Sequence, residues 1–371
     1  QGGKMKFGIL LAMLFAALTA ITLSVSVYAE SADTVTISTL PEKYLDEQET
    51  ELYRRVLKNV TAIAEGRQSA EAFYIDMQTP FPSKKKYEDA VEKVMFFIRN
   101  YTPEYSFWED SSGYLVYSTT RCGIIYGISP AYQRQSDENR IDPSRFNDVK
   151  SALANAKAIA DKYSKKSVYE KIIGYADEIC ALNVYNKAAA ADNTYSQKNI
   201  DPWKLVYVFD NDPSTNVVCA GYAHAFQYLC GLGGIECHYV TGAVNELHAW
   251  NIVALDGESY LVDLTFCDGF PKEDIKKYHP YVLDNVAANA QDGFSTYFPY
   301  SGYLSSDMET YKYSDEEMKY LPEDLRTLST KAYHKQGYRF ELWHLLLMLF
   351  VAVVIVRFIR KKRADRDSDG Y

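Results

Sequence analysis

Residues 217–268 read VVCAGYAHAFQYLCGLGGIECHYVTGAVNELHAWNIVALDGESYLVDLTFCD, and this stretch carries most of what the sequence says about fold and chemistry. Cys219 opens a helix-like run, His248 follows 29 residues later on a strand pattern, and Asp263 comes 15 residues after that. A nucleophile, a base and an orienting carboxylate are the groups a thiol acyl-transfer enzyme needs. Spacing alone is weak evidence, so the faces on which these residues lie must carry the argument.

Cys219 follows a polar, turn-rich stretch, residues 210–216, where helix-capping oxygens are plentiful. Cys219, Ala223, Phe226 and Cys230 then form one helical stripe, and Gly231, Gly233 and Gly234 stop the helix. The thiol is thereby expected in a first helical turn, where free backbone N–H groups and the positive dipole end favour a thiolate. From Glu236 onward the pattern turns to strands. Asp256-Gly257 between apolar alternation predicts a two-residue hairpin, with Leu255 facing Glu258 and Trp250 facing Asp263. His248 then shares a face with Asp263, diagonal to it and within reach. A slip of one residue would put the two on opposite faces.

These motifs resemble the transglutaminase-like fold, a papain-related group of thiol enzymes. Cys219-Ala-Gly-Tyr-Ala, His248-Ala-Trp-Asn and Val262-Asp263-x-Thr265 match three of its motifs in order. The resemblance implies Cys219 as nucleophile, His248 as general base and acid, and Asp263 as the group holding the imidazole. It departs at Val217, where the family usually has glycine, and at Phe266, where it usually has tryptophan; Asp268 keeps an acidic position that often follows. Beside the triad, Trp250 reads as packing that shields the pair, Tyr222 as packing between helix and sheet, and Tyr185 as a candidate oxyanion donor.

The expected fold class is α+β: a helix bearing the cysteine on an antiparallel sheet bearing His and Asp, an N-terminal α/β region, and a C-terminal transmembrane helix. Residues 1–29, with Lys4 and Lys6 before an apolar run, read as a signal peptide or an uncleaved anchor. Residues 30–142 form the α/β region and resemble the segment that often precedes such domains in exported Gram-positive proteins. Within it, residues 34–39 and 70–77 read as strands, 85–100 as a helix, and 114–119 and 123–129 as further strands. Residues 143–300 are the catalytic region and 301–341 a stalk. Residues 342–359, eighteen nearly all apolar, would span about 27 Å as a helix. The basic cluster at 360–363 puts a tail, 360–371, in the cytoplasm and the catalytic region outside the cell membrane.

A net charge of −9 argues against a nucleic-acid partner. No Cys/His zinc spacing and no acidic calcium loop occurs, so neither metal nor cofactor is expected. Setting Cys219 aside leaves five cysteines at irregular spacing, which is no disulfide framework, although one bridge stays open. The expected function is hydrolysis or transfer of peptide or carboxamide acyl groups, with a protein or peptide at the cell surface as substrate. An alternative from another class is a non-catalytic surface module that binds peptide or cell-wall material, with Val217 blocking the cleft.

Overall fold

The computed structural model describes residues 37–333 except 106, 108–112, 193–200, 245, 269–281, 285–310 and 330–332, together with Arg357. The described residues from 37 to 333 belong to one compact unit.

Helix starts follow local chemistry. Helix Glu47–Ala64 begins at a reciprocal capping box in which Asp46 accepts from the Glu49 N–H and Glu49 accepts from the Asp46 N–H. Helix Lys84–Tyr101 starts on Ser83, helix Pro143–Lys162 on Asp142 with proline in the first turn, and helix Val168–Leu182 on a Ser167/Glu170 box. The first two of these helices pack on a three-stranded antiparallel sheet of order β1-β3-β2, where β1 is Phe73–Asp76, β2 Gly113–Val116 and β3 Arg121–Ile125. A short hairpin, β4 (Gln133–Arg134) and β5 (Asp137–Ile141), leads into the next helices.

The sheet that matters for function has five antiparallel strands in the order β10-β6-β7-β8-β9. These are β6 (Cys237–Val244), β7 (Glu246–Leu255), β8 (Glu258–Val262), β9 (Val282–Asp284) and β10 (Tyr311–Tyr313). Leu255 pairs with Glu258 and Asn251 with Val262, the register a two-residue turn requires. Asp256 and Gly257 take φ of 54° and 82°, both positive, as a type I′ turn demands. Helix Cys219–Leu232 lies against this sheet, and Asn251 ties the two layers by donating to the Ala223 carbonyl at 3.0 Å.

Three expectations need correction. The fold class included a C-terminal transmembrane helix; what the structure supports is a mixed α/β fold with antiparallel sheets. Among the described residues no helix is long and apolar enough to cross a membrane. Residues 342–359 lie outside the described residues apart from Arg357, as does the signal-like segment 1–29. The expected strand at 34–39 instead gives, where described, a 3-10 helix, Ile37–Lys43. Pro41 within it has no N–H to give a ladder. Part of the expected stalk, 301–341, folds onto the sheet: β10 pairs with β6, and helices Asp315–Tyr320 and Glu323–Arg326 follow.

Candidate active site

Cys219 is the first residue of its helix, and Val218 before it offers no side-chain cap. The polar residues expected to cap it are engaged elsewhere. Asp210 accepts from Thr215, Asp212 from Ser214, and Asn216 Oδ1 from the Val184 N–H. Among the described residues no acceptor takes the N–H groups of Cys219 or Ala220. Two donors and the helix dipole therefore remain beside the sulfur, favourable to an oxyanion formed there.

Val217, the departure from the family pattern, is fully buried and its carbonyl accepts from the Asn186 N–H at 3.0 Å. Its side chain lies under Gly221, where a Cβ would come within 2.5 Å of the Val217 Cβ and 2.9 Å of the Pro202 carbonyl oxygen. Gly221 is thus required by packing, and Val217 belongs to the core rather than to the approach to the thiol.

His248 Nε2 donates to Asp263 Oδ2 at 2.7 Å. The carboxylate is 1% exposed and fully engaged. Its Oδ1 receives the N–H groups of Thr265 and Phe266 at 3.1 and 3.4 Å, and Oδ2 also receives the Tyr311 phenol at 2.8 Å. Asp263 therefore caps the short helix Leu264–Asp268 while it holds the imidazole. With Nε2 so engaged, Nδ1 is the ring nitrogen left for the Cys219 thiol. Burial opposes a charge on His248 more than any other single influence. The Asp263 charge and hydrogen bond, joined by a hydrogen bond with Cys219, outweigh it and raise the His248 pKa to about 10.

Three rings enclose the imidazole. Trp250 stacks nearly parallel to it at 6.1 Å, Phe266 tilts at 5.2 Å and Tyr311 stands edge-on at 6.4 Å. Trp250 accordingly shields the pair, and Phe266 contributes a ring at the tryptophan position of the family motif.

Tyr222 packs between helix and sheet, and its phenol reaches Asp268 at 3.0 Å rather than the reacting groups. Asp268 also accepts from the Tyr185 N–H at 2.9 Å, tying the segment before the nucleophile to the one after Asp263. Burial pushes the Tyr185 pKa up to about 12, with the neighbouring Cys219, Glu246 and Asp263 adding to it. Tyr185 is thus a half-buried neutral phenol near the thiol, a usable donor.

Sequence reasoning missed Tyr311. Nothing in its surroundings, Thr-Tyr-Lys-Tyr, marks a site; the alternation of Tyr311 and Tyr313 around Lys312 is a short strand signal at most.

Among the described residues no group of His, Cys, Asp and Glu could hold a metal. Five of the six cysteines are buried and Cys219 alone is partly exposed. A cavity of about 1080 Å³ lies between helix Glu47–Ala64 and β1, lined by Arg54, Arg55, Lys58 and Asp76 among others, and includes no residue of this site.

No protein-family model and no curated protein matches the sequence. One solved structure it is similar to is a "Putative Cysteine Protease from Cytophaga hutchinsonii". The identity is 20%, the TM-score is 0.24, and the match covers 40% of this chain and 51% of that one. The chain therefore matches about half that protein's length.

Proposed function

We propose that this chain is a thiol hydrolase of transglutaminase-like type, cleaving peptide or carboxamide bonds through Cys219, His248 and Asp263. The observation that carries the reading is the His248–Asp263 bond at 2.7 Å, with Cys219 at the uncapped start of the helix that packs on the same sheet. The thiolate attacks the amide carbonyl, and the oxyanion that forms is met by the free N–H groups of the first turn. The C–N bond breaks as His248 passes its proton to the leaving amine, leaving a thioester on Cys219. His248, now neutral, takes a proton from water, which attacks the thioester; the acid departs and the thiolate returns. Asp263 keeps the imidazole in the right tautomer and orientation throughout.

Hydrolysis ranks ahead of transfer to an amine, because efficient transfer needs a channel that holds the amine and excludes water. Among the described residues, Trp250 beside His248 is the one feature that bears on such a channel. The alternative of a non-catalytic module drew on Val217, and the burial of that side chain removes its motive.

The test is to incubate the purified full chain with a panel of peptide amides and a fluorescent primary amine at millimolar concentration. Mass spectrometry should find an acyl adduct on Cys219, with free acid formed faster than the amine is incorporated. Preferential amine incorporation would make the protein a transferase. No adduct and no product, with Cys219 freely alkylated, would favour the binding module.

A further inference from the structure

We propose that Tyr311 is a positioning residue of the thiol centre: its phenol shares one Asp263 oxygen with the His248 imidazole and so sets how tightly Asp263 holds that ring. This deepens the thiol-enzyme reading and rests on it. An ionised carboxylate offers about four lone-pair sites. On Asp263 all four are taken, two by backbone N–H groups at Oδ1 and two by Tyr311 and His248 at Oδ2. The group cannot rotate without breaking a bond, and the charge on Oδ2 is divided between phenol and imidazole. A divided charge holds the imidazolium less firmly, leaving it free to release its proton to a departing amine.

The phenol is aimed by its strand. Tyr311 pairs with Val244 and Tyr313 with Gly242 across β10 and β6. A Cβ on Gly242 would lie 1.9 Å from the Lys312 carbonyl oxygen and 2.7 Å from Trp250 Cη2. The bare glycine therefore allows β10 and the indole to come this close. The Tyr311 ring stands edge-on to Trp250 at 5.1 Å and is 1% exposed. Among the described residues, the other titratable groups that bear on the site are Cys219, Tyr185, Glu246 and Cys267. Burial keeps Tyr185 neutral, and a hydrogen bond with Cys180 together with burial does the same for Cys267. Tyr311 is thus the phenol that bonds the carboxylate, and it comes from a segment 48 residues beyond Asp263.

The experiment measures the rate of Cys219 alkylation against pH in the full chain, for wild type, Tyr311→Phe and a protein with 3-fluorotyrosine at position 311. Tyr313→Phe serves as control, because Tyr313 lies on the same strand but its phenol donates to the Arg326 carbonyl instead. Removing the phenol returns the whole Oδ2 charge to His248, so Tyr311→Phe should raise the alkaline limit of the profile by about half a unit to one unit. The more acidic fluorophenol should lower it, and Tyr313→Phe should leave it in place. A purely packing role would move neither limit, since both variants keep the ring. An intact wild-type limit that neither substitution shifts overturns the proposal alone. A wild-type profile with no imidazole-dependent limit sinks the thiol-enzyme reading, and this one with it. If Tyr311→Phe fails to fold, the sign of the fluorotyrosine shift decides.

Discussion

Two histidines on neighbouring strands of the same sheet each face a carboxylate, and they end in opposite charge states. His248 on β7 meets Asp263 at 2.7 Å, while His238 on β6 sits 3.4 Å from Glu236, too long for a strong hydrogen bond. Burial opposes a charge on both rings and is the leading influence on each. At His248 a buried carboxylate that pairs with no lysine or arginine among the described residues overcomes that penalty. At His238, Glu236 already pairs with Lys43 at 2.7 Å and accepts from Tyr44 at 2.8 Å. Burial prevails there and lowers the His238 pKa, with Lys43 pushing the same way. The neutral ring then takes the Tyr101 phenol at Nδ1, 2.7 Å away, and joins helix Lys84–Tyr101 to the sheet. A carboxylate near a histidine is thus not enough for chemistry; its charge must not already be balanced by a cation, as Lys43 balances that of Glu236.

The largest expected contrast is in turnover. Asp263→Asn should leave the fold intact and cut turnover by about 10⁴-fold, as when a triad imidazole is misoriented. Glu236→Gln should change it by less than about twofold. Circular dichroism and turnover per folded molecule would check both. If Asp263→Asn unfolds the chain while the surviving folded fraction works normally, Asp263 is structural and the contrast fails.

Alkylation should separate the sites next. At pH 6, iodoacetamide should label Cys219 at least about tenfold faster than any of the five buried cysteines, since it is the partly exposed thiol beside an imidazolium. His248→Ala should slow that labelling and His238→Gln should not. Peptide mapping of the labelled protein reads out both, and equal labelling of all six would remove the basis for an enzyme.

Stability against pH should show opposite slopes. The raised pKa of His248 means its ion pair stabilises the fold fully below the unfolded value of about 6.5, and that this is lost as pH rises through about 10. The lowered pKa of His238 means the reverse: stability is intact above about 6.5 and falls as pH drops below it. Urea midpoints of wild type, His248→Gln and His238→Gln between pH 5 and 10.5 should therefore converge at high pH for the first variant and at low pH for the second. Parallel curves would show that neither ring titrates as argued. The smallest effect belongs to Tyr101→Phe, which removes one buried hydrogen bond at His238 and should cost about 1 kcal/mol by denaturant titration, with the Cys219 pH profile unmoved.

Much of the site could be read from local pattern. Turn chemistry at Asp256-Gly257 sets the β7–β8 register, because a two-residue loop with two positive φ angles permits one pairing, and that pairing brings His248 to Asp263. Glycines after Leu232 end the helix that Cys219 begins. Other readings failed where local signal and partner disagreed. Residues 210–216 have the composition of a cap, but their oxygens are taken by their own turn and by Val184, and the helix start is left open. Residues 37–39 have strand-like composition, yet the segment that runs through Pro41 is a 3-10 helix.

Local sequence settles the short-range decisions: where helices start, where strands turn, and which residues share a face. Those depend on φ preference, capping and periodicity within a few residues. Tertiary structure alone decided the electrostatics. Whether a histidine is charged depends on which distant side chains have already claimed its carboxylate, and Lys43 lies 193 residues from Glu236. It also decided that β10, beyond residues 285–310, joins the sheet beside β6 and sends Tyr311 to Asp263. A three-residue strand has too little pattern to announce its partner. The close approach permitted at Gly242 and the filling of the last Asp263 lone pair are properties of the assembled sheet, and no local stretch of sequence encodes them.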